Sequence, residues 1–278
     1  IAAQASRAFT VTAVQLDVVE DPKDNLARAE ALIGDASARG AQLVVLPECF
    51  VGLYGVRYFA KWQELADGSD IRSGSGMMSE AARQHNVFVV GGIIERSDDG
   101  KLYNSMPVFA PNGKQVALYR KVHLSRVLGL TSEGDVLCEG NAPCSFEVNG
   151  MRIGIACCYD LRFPAFLAAY GPLSPEPCDV ILAPSAFLDR TGVDHWDLLV
   201  RRTALDQQCF VCAPNVAKRA VDALPLHGRS AIANPWGDIV SQCKAEGDGL
   251  ATVETSAEVV AQVRSKLPLT ASARWRAV

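Results

Sequence analysis

Four short apolar runs constrain this chain most: LVVL at 43–46, VFVVGGII at 87–94, VILA at 180–183 and FVCA at 210–213. Each has strand length and none shows the polar alternation of a half-exposed strand, so each reads as a strand covered on both faces. Helical patterns precede, separate and follow them. Asp21 and Pro22 open the first, with Leu26, Ala29, Ile33 and Ala36 as its apolar stripe and Gly40 as its stop. Residues 74–86, 194–208 and 258–267 carry three more, and in the 194–208 segment Leu198, Leu199 and Ala204 recur at helical spacing. Turn signals at Ser97-Asp98-Asp99-Gly100 and Pro111-Asn112-Gly113 predict an antiparallel hairpin ending near His123. The alternation predicts a layered α/β fold, and two such sheets packed face to face would make a four-layer sandwich. Periodicity alone does not show that packing.

With no linker, repeat or low-complexity stretch, residues 9–278 read as a single domain, preceded by a short tail or expression remnant over residues 1–8. A net charge of -4 leaves no basic footprint for nucleic acid, and no run of eighteen apolar residues marks a membrane span. Nine cysteines without regular spacing argue against a disulfide framework. They point to a reducing compartment, the cytoplasm or an organelle, and not to secretion. The four histidines lie far apart, so no metal site is expected.

Three polar residues each follow a strand-like run: Glu48 after LVVLP, Lys121 after VALYR and Cys158 after IGIAC. Ligands of open α/β sheets bind at the carboxyl ends of strands, so the three can converge. Singly, each has a plainer role, as a solvated cap, a surface charge or core filling. Together they form a complete set for acyl transfer: a thiol nucleophile, a carboxylate to take its proton and an ammonium to hold an oxyanion. At a side-chain period of two, the adjacent Cys157 and Cys158 point to opposite faces. Only one can face a pocket, and parity does not say which. Residues 51–62 and 125–143 read as loops bordering it.

The motifs LPECF at 46–50, YRKVHL at 119–124 and CYDLRFP at 158–164 carry a resemblance to the nitrilase superfamily of carbon-nitrogen hydrolases, running from about Phe9 to Pro268. The resemblance implies a four-layer α-β-β-α sandwich that assembles as a homodimer or larger homo-oligomer, with no cofactor. It implies a Glu48, Lys121, Cys158 triad and leaves Cys157 as a packing residue. Glu133 matches a supporting glutamate that orients the lysine, Gly140 falls on the family's glycine, and Glu139 is left as a solvated charge. The N–H of Tyr159 is the implied partner of Lys121 in the oxyanion hole. Ala165 stands where relatives carry glutamate, a change expected to touch packing or a subunit contact and not catalysis.

ECF with LYG and YF at 48–59, KLYN at 101–104, the segment 186–208 and NPWG at 234–237 resemble the omega-amidase branch most. That branch hydrolyses the terminal amide of dicarboxylic acid monoamides such as α-ketoglutaramate through a cysteine thioester, releasing ammonia. Deaminated glutathione, N-carbamoyl compounds and nitriles are the alternative substrates, and a catalytically silent assembly subunit is the alternative class. A carboxylate-bearing substrate requires a cation or N–H donors, for which Tyr54, Arg190 and Thr191 are the candidates.

Overall fold

The computed structural model describes residues 7–126, 132–219 and 224–272. The first half builds β1 (Ala8–Gln15), α1 (Pro22–Ala38), β2 (Leu43–Val45), α2 (Val56–Phe59), β3 (Gln63–Glu64), α3 (Gly74–His85), β4 (Phe88–Val90), β5 (Ile93–Arg96), β6 (Leu102–Phe109) and β7 (Gln115–Arg120). The second builds β8 (Cys144–Val148), β9 (Met151–Ile155), α4 (Pro164–Leu167), β10 (Val180–Leu182), α5 (Asp189–Gln207), β11 (Phe210–Ala213), β12 (Ala231–Ala233), β13 (Ile239–Gln242), β14 (Gly249–Ser256), α6 (Ala257–Lys266) and α7 (Leu269–Ser272). Of the tail expected over residues 1–8, residues 1–6 lie outside the described residues.

Eight strands form one sheet in the order β14-β1-β2-β4-β6-β5-β3, with β7 also on β6, and six form a second in the order β13-β12-β11-β10-β9-β8. Val11, Val45 and Val108 of the first sheet share a core with Ile153, Val180 and Val211 of the second, so the sheets pack face to face. On the far side of the first sheet, Ile33 and Ala36 of α1 and Met78 and Ala82 of α3 pack against Val14, Val44 and Val89. Trp196 and Val200 of α5 cover the second sheet. This is the four-layer α-β-β-α sandwich.

Asp21 caps α1 as expected, its side chain accepting from the Lys23 N–H. Three details depart from expectation. The run 87–94 is not one strand. It breaks at Gly91-Gly92 into β4 and β5, which lie end to end along β6. A Cβ on Gly92 would fall 2.5 Å from the Glu48 Cα, so the break is where the backbone passes the turn that carries Glu48. Helix α5 starts five residues earlier than residue 194, at Asp189, and Leu198 is 62% exposed, off its buried stripe. The strands β8 and β14 escape periodicity; β14 is made a strand by antiparallel pairing with β1 along its whole length, from Ala8↔Ser256 to Gln15↔Gly249.

Candidate active site

Pro47 ends the approach from β2, and the next turn, with Cys49 at φ +53°, drives Glu48 into the space between the sheets at 0% exposure. Strand β7 ends at Arg120 and delivers Lys121 to the same place. Gly140 holds that end. Its N–H donates to the Lys121 carbonyl at 2.8 Å, and a Cβ there would sit 2.1 Å from the Arg120 carbonyl oxygen. Glu133 enters from a short 3-10 turn, Glu133–Asp135, in the loop after Lys121.

The Lys121 ammonium donates to Glu48 Oε1 at 2.7 Å and to Glu133 at 2.8 and 3.1 Å. Asn104 Nδ2 donates to Glu48 Oε1 at 2.7 Å and reaches Glu133 Oε1 at 3.3 Å. Glu48 Oε2 accepts the Ala186 N–H at 2.7 Å. Glu133 also takes the Ser125 N–H at 2.6 Å and the Tyr54 hydroxyl at 3.0 Å. Burial pushes the Glu48 carboxyl up, but the Lys121 ammonium and the donors around it bring it below its ordinary value. Burial pulls Lys121 down, and Glu133 and Glu48 together more than restore it, so the ammonium is held well above its ordinary range.

Cys158 begins a 3-10 turn, Cys158–Arg162, that follows the end of β9 after Ala156 and Cys157. Its φ of +47° is left-handed, a conformation costing a non-glycine residue about 1 to 2 kcal/mol. That twist ends the strand's alternation, and both cysteines arrive beside Glu48. Cys157 Sγ donates to Glu48 Oε1 at 3.2 Å, whereas the Cys158 N–H donates to the Pro184 carbonyl at 3.0 Å, two residues before the Ala186 N–H that binds Oε2. Burial and then the Glu48 charge push the Cys158 thiol well up, opposed by Lys121. Cys158 therefore rests as a protonated thiol beside an ionised carboxylate. Asp160 anchors the elbow, accepting the Tyr119 hydroxyl at 2.6 Å, the His123 N–H at 2.9 Å and the Cys157 N–H at 2.8 Å.

A cavity of about 310 Å³ opens beside this cluster, with Tyr54, Ser125 and Glu133 in its wall, apolar sides from Leu53, Val216 and Leu226, and two arginines, Arg57, whose guanidinium lies over the Tyr58 ring, and Arg219, whose guanidinium donates to the Val18 carbonyl at 3.0 Å. Glu48, Lys121 and Cys158 lie behind that wall. Arg190 and Thr191 are not part of it: Arg190 is exposed at the start of α5, and the Thr191 hydroxyl turns back to the Leu188 carbonyl at 3.5 Å. Ala165 is exposed on α4, and Glu139 lies at the surface 3.8 Å from Arg126. Asn104, Asp160 and Ala186 fall within KLYN, CYDLRFP and the 186–208 segment, but none of the three was singled out from sequence.

Residues 10–265 match the carbon-nitrogen hydrolase family. The chain belongs to that family. As a carbon-nitrogen hydrolase it acts on amide bonds, and its relatives agree. The omega-amidase NIT2 of Danio rerio is 34% identical over 270 residues, spanning 96% of this chain and 95% of its own. The Homo sapiens omega-amidase NIT2 is 32% identical over 265 residues, spanning 94% and 93%. The crystal structure of Saccharomyces cerevisiae Nit3, of branch 10 of the nitrilase superfamily, matches this hydrolase at 30% identity with a TM-score of 0.87, covering 99% of this chain and 100% of that one. A Xanthomonas campestris CN-hydrolase superfamily protein, 23% identical with a TM-score of 0.85 over 98% and 99% of the two chains, shares the fold. Among the described residues of this hydrolase, no cluster of three His, Cys, Asp or Glu suits a metal ion, and no helix is long and apolar enough to cross a membrane.

Proposed function

We propose that this hydrolase removes the terminal amide of short dicarboxylic acid monoamides of the α-ketoglutaramate type, through a thioester on Cys158. The observation that carries the proposal is the convergence of Glu48, Lys121 and Glu133 on the Cys158 elbow, beside a small-molecule-sized cavity lined by two arginines. Arg57 and Arg219 replace Arg190 as the cations suited to the far carboxylate.

Glu48 takes the Cys158 proton as sulfur attacks the amide carbon. The carbonyl oxygen becomes an oxyanion, held by the Lys121 ammonium and the Tyr159 N–H, for which no backbone acceptor is found among the described residues. Glu48 returns the proton to the nitrogen, the carbon–nitrogen bond breaks and ammonia leaves, with the acyl group on sulfur. Water, losing its proton to the same carboxylate, attacks the thioester; the carboxylic acid departs and sulfur regains its proton. Glu133 orients Lys121 throughout.

An ammonia-release panel of α-ketoglutaramate, deaminated glutathione, an N-carbamoyl acid and a simple nitrile tests the substrate. The reading requires the keto-acid monoamide to be turned over best; a preference for any of the others replaces it. A silent subunit would show no acyl adduct on Cys158 by intact mass. The same reading carries a homodimer or larger assembly, supported by exposed Leu198, Leu205 and Trp236 on and beside α5. Light scattering on the eluted protein checks it.

A further inference from the structure

We propose that Cys157 is a positioning residue for the hydrolase: its thiol, donating to Glu48 Oε1, orients the carboxylate so that Oε2 is the oxygen presented to Cys158. The proposal rests on Cys158 being the nucleophile.

Oε1 receives three donors, from Lys121 and Asn104 at 2.7 Å each and from Cys157 at 3.2 Å. A carboxylate oxygen offers about two lone-pair directions, so Oε1 is saturated. Oε2 receives the Ala186 N–H, two residues beyond Pro184, whose carbonyl takes the Cys158 N–H at 3.0 Å, and that adjacency places the nucleophile on the Oε2 side. Lys121 and Asn104 divide their donors between Glu48 and Glu133. Of the three donors on Oε1, Cys157 is the one bonded to Glu48 and not to Glu133.

Its place is set on both sides of the side chain. The Cys157 N–H donates to Asp160 Oδ2 at 2.8 Å and its carbonyl accepts the Asp160 N–H at 2.9 Å. Asp160 is fixed in turn by Tyr119 and His123. A thiol at 0% exposure against a carboxylate is chemically distinct from one packed among aliphatic groups, because no apolar replacement can donate.

Cys157→Ser, Cys157→Ala and Cys157→Val separate donation from packing. The pH dependence of ammonia release from α-ketoglutaramate is read alongside that of Cys158 alkylation by iodoacetamide, located by peptide mass, which needs no substrate. Losing a donor makes the Glu48 carboxylate more basic, so the acid limbs of Cys157→Ala and Cys157→Val are expected to move up by about 0.5 to 1 pH unit. kcat should fall about three- to tenfold with KM little changed. The serine variant should restore the wild-type limb. Alanine leaves a small space and valine fills it, so a shift in both variants reports the missing donor. Alanine and valine profiles superposing on wild type, or serine behaving as valine does, would overturn the proposal. Turnover by Cys158→Ala would sink the nucleophile assignment instead, and wild type inert to α-ketoglutaramate but alkylated normally would sink only the substrate.

Discussion

Glu48 Oε1 and Lys121 Nζ lie 2.7 Å apart with both side chains at 0% exposure. Neither charge could be held there alone, because an isolated buried ion costs several kcal/mol even after relaxation. The pair thus makes the active site part of the fold's stability.

Lys121→Met keeps the length of the side chain and removes its charge, leaving Glu48 and Glu133 without their shared cation. Urea unfolding is expected to show a loss of about 3 to 5 kcal/mol, together with loss of turnover. A variant as stable as wild type would mean the pair is not dry.

The pH behaviour follows from the directions of the shifts. Glu48 sits below its ordinary 4.5, so its contribution to stability is present above 4.5 and is lost as pH falls through the lowered value. Lys121 sits above its ordinary 10.5, so its contribution is present below 10.5 and is lost as pH rises through the raised value. Between those limits this pair adds no pH dependence to folding. Because Glu48 must be ionised to act, kcat/KM is expected to fall on the acid side only below about 4.5; a half-maximal point near pH 6 or 7 contradicts the assignment.

Glu48→Gln retains the volume but cannot take a proton. A drop in kcat of about 10² to 10⁴ is expected, with substrate still bound. Unchanged turnover with intact-mass adducts on Cys158 would move the base elsewhere.

The cavity wall makes a prediction about charge. Arg219→Gln should raise KM for α-ketoglutaramate by about 10- to 100-fold and leave an uncharged amide such as propionamide within a factor of about two. Arg190→Ala decides between the wall and the start of α5: a comparable rise there returns the carboxylate to Arg190.

Gly92→Ala tests how tightly the site is built. Its Cβ would meet the Glu48 Cα at 2.5 Å and the Cys49 N at 2.8 Å. Overpacking of this kind costs about 1 to 3 kcal/mol and moves the base, so Tm and kcat should fall together.

Strand endings made Glu48, Lys121 and Cys158 legible, because a polar residue directly after a buried apolar run has few places to go other than the sheet's edge. Their supports were not legible for the opposite reason. Asn104 lies within β6, where nothing local distinguishes an inward amide from a surface one until Glu48 and Glu133 face it. The Ala186 donor is a backbone group and leaves no residue-type signal. Arg57 and Arg219 stand 162 positions apart, and only the tertiary approach of α2 to the segment after β11 puts both in one wall.

The sequence by itself determined the layered alternation, the motif residues and, through them, the family, since each depends on local period and residue type. Tertiary structure alone decided where the two cysteines point. Strand parity sends Cys157 and Cys158 to opposite faces, and it holds only while both residues are extended. At Cys158 the left-handed backbone breaks that condition, held by the Asp160 anchor and the Pro184 carbonyl that takes the Cys158 N–H at 3.0 Å, and both thiols come to rest beside Glu48.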